Sequence, residues 1–218
     1  MSVFSNWSHT AHVSLTAAGF RLPLGQVHQI LSAGLGHASL ASFAIHDKNA
    51  LSKSRYALLD LDRMHQRAHE LHQPLTEKDC TEVLLKIREA SQQDEPYVQP
   101  VNGFEYLVRT MVSDSQHPGV DEIAKNMQGR AYDFKVFHAS PYEAIDAAPF
   151  AWRWKSTGTL YVACSDSHYQ VPITADVIVP RLGTQLLGAG SISHFSQSGE
   201  PEFYDDDDYT ELDHNSYD

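Results

Sequence analysis

The chain has 218 residues, 42% of them hydrophobic, and a formal net charge of −12. That is enough apolar material for one sizeable core or two small ones, and no run of about 18 apolar residues occurs, so no membrane span is expected. The opening "MSVFSNWSHTAH" lacks the order of a signal peptide, and the two cysteines, Cys80 and Cys164, are far apart, which fits a reducing, cytoplasmic setting rather than a disulfide framework.

Helices are predicted first along the chain. "SHTAHVSLTAAGF" forms one that ends near Gly19, and "LPLGQVHQILSAGLG" places Leu24, Val27, Ile30, Leu31 and Leu35 at helical spacing, with Gly34 and Gly36 as stop signals. Ser39 then caps "LASFAIH". Tyr56 to Leu61 reads as a short strand, and Asp60 or Asp62 caps a helix that runs to about His72 and stops before Pro74. "TEKDCTEVLLKIREASQ" carries Thr76 and Asp79 in capping-box spacing and an apolar stripe of Val83, Leu84, Ile87 and Ala90. "NGFEYLVRTMVSD" and "GVDEIAKNMQGR" give two more helices, the first with Phe104, Leu107, Val108 and Met111 on one side.

After about residue 131 the period changes to two. "YDFKVFHA" alternates, "GTLYVACSD" points Leu160, Val162 and Cys164 one way, and Val171, Ile173, Ala175, Val177 and Val179 keep strict alternation. Pro172 and Pro180 fall in the other phase, and a proline cannot donate to a sheet ladder, so an edge strand or an interrupted one is expected. "QLLGAGSISHFSQSG" reads as one further strand loosened by glycine. The expected fold is α+β: a helical N-terminal half, a small antiparallel β-sheet and an acidic, disordered-like tail. The expected segments are a small helical unit at 1–47, a mainly helical region at 53–130, an antiparallel β region at 131–199 and the tail at 200–218.

The stretch "LGQVHQILSAGLGHASLASF" runs through a helix, a glycine turn and a Ser-x-x-x-aromatic step, carried by Gly36, Ser39 and Phe43. Residues 22–43 thereby resemble the small helical segment of glyoxalase-related proteins and of plasmid and integrative-element proteins of unknown function. The resemblance implies a mobile-element setting rather than an activity, since nothing further along looks like a glyoxalase metal site.

"MHQRAHELH" sets His65, His69 and His72 on one helix face, the spacing with which two histidines can hold zinc. The residues between the first pair are Gln66, Arg67 and Ala68, with no glutamate placed as a general base, so the stretch reads as a solvated face behind a buried one of Met64, Ala68 and Leu71. A metal-dependent enzyme built on these histidines, with His9 and His12, is the alternative. Cys80 sits in a first helical turn among Glu77, Asp79 and Glu82, which oppose thiolate formation, and Cys164 lies on an apolar strand face. No nucleophile elbow, phosphate loop or dinucleotide fingerprint occurs, and no cofactor is expected. In "FAWRWKSTG" a strand puts Trp152 and Trp154 on one face and Arg153 and Lys155 on the other. A helix-turn-helix DNA-binding regulator through residues 23–45 is a further alternative, but "ASLASFAIHDK" offers few polar side chains for base edges, and direct nucleic-acid binding is disfavoured.

The charge is uneven. Residues 200–218 hold nine acids and no Lys or Arg, leaving 19 acids against 16 bases elsewhere. An acidic run with Phe203, Tyr204, Tyr209, Leu212 and Tyr217 cannot fold alone. Spaced carboxylates mimic phosphates, and the interleaved aromatics add contact area. Asp205, Asp206, Asp207, Asp208, Tyr209 and Glu211 are therefore the candidate contact residues for the basic surface of a nucleic-acid-binding protein, and an inhibitory interaction protein is the leading expectation over an enzyme.

Overall fold

The computed structural model describes residues 2–91, 93–113, 117–142, 149–165 and 167–204. The helices are α1 (Val3–Ala17), α2 (Leu24–Gly34), α3 (Leu40–His46), α4 (Lys48–Leu51), α5 (Leu61–Glu70), α6 (Glu77–Ala90), α7 (Phe104–Ser113) and α8 (Pro118–Asn126). The strands are β1 (Tyr56–Leu59), β2 (Tyr97–Pro100), β3 (Arg130–Pro141), β4 (Ala151–Cys164), β5 (Ser167–Pro180), β6 (Leu186–Leu187), β7 (Ser191–Gln197) and β8 (Glu202–Tyr204). The fold is α+β, in two compact units. The first comprises Met1–Phe104, Glu143–Trp152 and Val179–Ala189, and the second Glu105–Tyr142, Arg153–Ile178 and Gly190–Asp218.

In the first unit the helix starts are chemically specified. Ser39 Oγ accepts from Ser42 N at 3.1 Å, Asp60 Oδ1 from Arg63 N at 3.0 Å, and Thr76 and Asp79 form the reciprocal capping box that opens α6. α1 packs on α6, and α2 on α5. Phe4, Trp7, Ala11 and Leu15 of α1, Val27, Ile30 and Leu31 of α2, and Val83, Leu84 and Ile87 of α6 share one core with Ala57 and Leu59 of β1. Each such large side chain removed from water contributes about 1.5–3 kcal/mol. Ala90, expected in the α6 stripe, is exposed because the helix ends there.

This helical half also holds a three-stranded sheet in the order β2-β1-β6 that the periodicity did not announce. β1 runs parallel to β2 and antiparallel to β6. β6 arrives from late in the chain, which corrects the single strand expected over 185–199. Leu186 and Leu187 pair with β1 in the first unit, whereas Ser191–Gln197 pairs with β5 in the second. The intervening "GAG" does not loosen one strand; it separates two.

The second unit is a five-stranded antiparallel sheet, larger than the small one expected. Its order is β3-β4-β5-β7, with β8 also on β5. α8 packs against β3 and β7. Val171, Ile173, Ala175 and Val177 are buried on one face together with Trp154, Leu160 and Val162. β5 is an internal strand, not an edge, and the proline shows how. Along one side of β5, β8 pairs with His168–Gln170 and β7 with Ile173–Ile178. Pro172 sits at the changeover, where no partner needs its missing N–H, while its carbonyl accepts from Ser198 N at 2.8 Å.

Candidate functional site

Asp205, Asp206, Asp207, Asp208, Tyr209 and Glu211 lie outside the described residues. The root of their segment is described. Glu202 pairs with Gln170, Phe203 with Tyr169, and Tyr204 with His168, so β8 carries the chain toward the β4–β5 connection. Phe203 is 66% exposed and meets the Tyr169 ring edge-on at 6.2 Å. The acidic stretch thus begins from a strand built into the sheet of the second unit.

The same sheet carries a polar outer face. Burial alternates along β4, with Trp152, Trp154, Ser156, Gly158 and Leu160 inside and Arg153, Lys155 and Thr157 exposed, as the spacing required. Trp152 stacks on Phe104 at 5.2 Å and 11°, so the tryptophans are packing residues and not a stacking platform for bases. On β3, Lys135 lies 4.0 Å from Asp133 and 5.9 Å from the Tyr161 ring, and His138 Nδ1 lies 3.2 Å from Glu105. The Tyr142 hydroxyl donates to Asp176 at 2.6 Å, and this bond raises the phenol above its ordinary range.

The histidine face divides. His65 is half-buried, His69 and His72 are exposed, and His72 adopts φ +57° just past the end of α5. Arg67, between them in sequence, donates to Gln29 at 2.6 Å and to Glu70 at 2.7 Å, holding α5 to α2. His9 lines a groove of about 550 Å³ between α1 and α6, with Val13, Ala17, Glu82 and Lys86. Among the described residues, no three His, Cys, Asp or Glu side chains converge to hold a metal. In the 23–45 segment, Phe43 is buried, and the exposed residues of α3 are Ala41, Ala44, Ile45 and His46, with Ile45 77% exposed. These side chains have little to offer a base edge.

Cys80 is buried, and its thiol is pushed up to about 12 by burial first and by Asp79 and Glu77 next. Such a thiol is a poor nucleophile. The sign of its pH effect follows from linkage. The unfolded chain loses this proton near 9.0 and the folded chain near 12. The stabilisation is therefore complete below pH 9 and is lost as pH rises from there, by about 1.4 kcal/mol per unit. Wild-type stability is expected to fall more steeply than that of Cys80→Ala across this window, as measured by urea unfolding at pH 8.5, 9.5 and 10.5.

One buried polar cluster was not foreseen. His37 and Asp47 are 6% and 4% exposed, with Nε2 2.8 Å from Oδ2. The same Oδ2 accepts from Thr184 N at 2.7 Å, 137 residues away in sequence. On the other side of the ring, His37 Nδ1 faces the Ser42 hydroxyl at 3.3 Å. Hydroxyl, imidazole and carboxylate stand in the order of an activated nucleophile. Here the carboxylate is also committed to a backbone amide, and the cluster fastens residues 183–187 onto the α2–α3 turn. Gln185 completes the fastening by donating its side-chain amide to the Gly34 and Leu58 carbonyls at 2.5 and 2.7 Å. No local pattern marks the cluster, because its third partner is supplied from the far end of the chain.

Searches against protein-family models, curated proteins and solved structures find no match for this chain.

Proposed function

We propose that this protein is a non-enzymatic interaction protein of a mobile genetic element, one that binds and inhibits a nucleic-acid-handling protein such as a host defence factor. The observation that carries this is the concentration of nine acids without a base in residues 200–218 of a chain otherwise near neutrality. A run of carboxylates competes with phosphates for arginine- and lysine-lined surfaces, whose affinity for nucleic acid is itself electrostatic. The strand β8 gives the run a fixed point of departure, and the exposed Phe203 beside it adds apolar contact area. The mobile-element setting rests on the resemblance of residues 22–43. The chemistry of Cys80 and the tying of Arg67 into the α2–α5 contact support the reading by giving those residues structural work.

The test is a pull-down from bacterial lysate, comparing the full chain with a D205N/D206N/D207N/D208N variant. A stoichiometric nucleic-acid-binding protein is expected with the full chain at about 0.1 M salt and is lost with the variant or near 1 M salt, where the screening length falls to about 3 Å. Equal capture by both proteins, or capture indifferent to salt, contradicts the reading.

A further inference from the structure

In the helices of the first unit a serine hydroxyl ordinarily donates to the carbonyl one turn back, as Ser8 does to Phe4 at 2.7 Å and Ser32 to His28 at 2.8 Å. Ser42 stands in the first turn of α3, and the residue four positions before it, Ala38, lies outside the helix. Its hydroxyl lies instead 3.3 Å from His37 Nδ1. The far ring nitrogen, Nε2, lies 2.8 Å from Asp47 Oδ2, which also accepts from Thr184 N at 2.7 Å. Phe43 meets the imidazole edge-on at 5.6 Å, so the ring is held from the side as well. Burial runs in one direction across this line. His37 and Asp47 are enclosed, Ser42 is only partly covered, and its neighbours Ala41 and Ile45 are exposed. The carboxylate end is shut away from water, and the hydroxyl end stands nearest the surface.

We propose that Ser42 is an acylation site, a serine activated by His37 that takes an acyl group from an activated acyl donor of the thioester class. Ser42 Oγ attacks the acyl carbon and gives its proton to His37 Nδ1. The Oγ–C bond forms, the C–S bond of the donor breaks, and the imidazolium returns the proton to the departing thiolate. The products are an O-acylserine and a thiol, and nothing is oxidised or reduced. Asp47 is the positioning residue. It holds the ring proton on Nε2, leaves Nδ1 as the acceptor, and balances the charge of the imidazolium. The 3.3 Å separation is long for a hydrogen bond, as such contacts are before a substrate fills the site. Ile45, one turn beyond Ser42 on α3 and 77% exposed, is an apolar neighbour, so a short apolar acyl group is the class that fits. The inference goes beyond the proposed function. One acyl transfer per chain is a modification rather than turnover, and it uses no residue of the acidic run, so the two stand or fall separately.

Acetylation of the full chain by para-nitrophenyl acetate, read by mass spectrometry, tests it. Fragmentation separates Ser42 from Ser39, the exposed N-cap serine of the same helix, which serves as the internal reference. Ser42 is expected to acetylate about 100-fold faster than Ser39, the lower end of what a positioned base contributes. In Asp47→Asn, which keeps an oxygen beside the ring, the ratio is expected to fall about ten-fold, because the imidazolium loses its counter-charge. Nitrogen NMR of isotope-labelled histidine in the wild-type chain is the second measurement and depends on no variant's folding. The expected state of His37 is Nε2 protonated and Nδ1 bare, a tautomer that a purely structural cluster does not require. Equal acetylation of Ser42 and Ser39, a ratio unchanged in Asp47→Asn, or a proton on His37 Nδ1 overturns the proposal.

Discussion

Asp47→Ala is expected to destabilise the first unit by about 3–5 kcal/mol, the cost of breaking a buried pair by removing one partner. The size follows from what is stranded. Asp47 Oδ2 lies 2.8 Å from His37 Nε2 and accepts from Thr184 N; His37 is enclosed with it, and Thr184 is partly buried. Without the carboxylate each is left unpaired, at about 1–3 kcal/mol apiece. Asp47→Asn keeps one oxygen in the same place and can still accept from both, so it is expected to cost only about 1–2 kcal/mol, the difference between a charged and a neutral acceptor. Gly183→Ala reaches the same cluster from the other side, since a Cβ there would lie 2.7 Å from the Asp47 carboxylate carbon and both its oxygens. Hydrogen exchange resolved by peptide is the appropriate measurement, because two units need not unfold together. Faster exchange in 183–187 and β1, with residues 153–178 unchanged, is the expected pattern. Equal losses in Asp47→Ala and Asp47→Asn would show that the carboxylate's double acceptance is not what matters.

The parts of this fold that could be read from sequence are those whose causes are local. The capping box at Thr76, the caps at Ser39 and Asp60, and the strict alternation from Val171 to Val179 each depend on residues within a few positions of one another. Their structural counterparts fall where the spacing put them. The α+β class follows from those elements. What the sequence concealed depends on partners far along the chain. β2 is four residues of ordinary composition, and it becomes a strand because β1 offers it a parallel edge. Leu186 and Leu187 pair with a strand some 130 positions earlier, which no period reveals. Asp47 looks like a solvated acid beside His46 and Lys48 until Thr184 is placed over it. The "WRWK" alternation was legible as packing on one face and charge on the other. Its continuation onto β3 through Arg130 and Lys135 required the register of the sheet.

Gly158→Ala is expected to cost the second unit about 3 kcal/mol or more, at or beyond the upper end of ordinary overpacking. Gly158 stands opposite Val136, where β3 shifts register between Val136 and His138. The β3 backbone lies close beside residue 158, and a Cβ there would press into the Lys135 carbonyl oxygen and lie 2.9 Å from Val136 Cα. Backbone cannot swing aside as a side chain can, so the strands must separate or the bulge must move. Either response also displaces Lys135, which lies beside Asp133 and over the Tyr161 ring. The contrasting change is Gly25→Ala, in the first turn of α2, where a Cβ meets nothing within 4 Å. Replacing a helical glycine there is expected to stabilise the first unit by about 0.5–1 kcal/mol. Peptide-resolved exchange should therefore move in opposite directions in the two variants, faster over β3 and β4 for Gly158→Ala and slower over α2 for Gly25→Ala. Wild-type exchange over β3 and β4 in Gly158→Ala would mean that the bulge yields at little cost, and that the register setting Lys135 opposite Thr159 is soft.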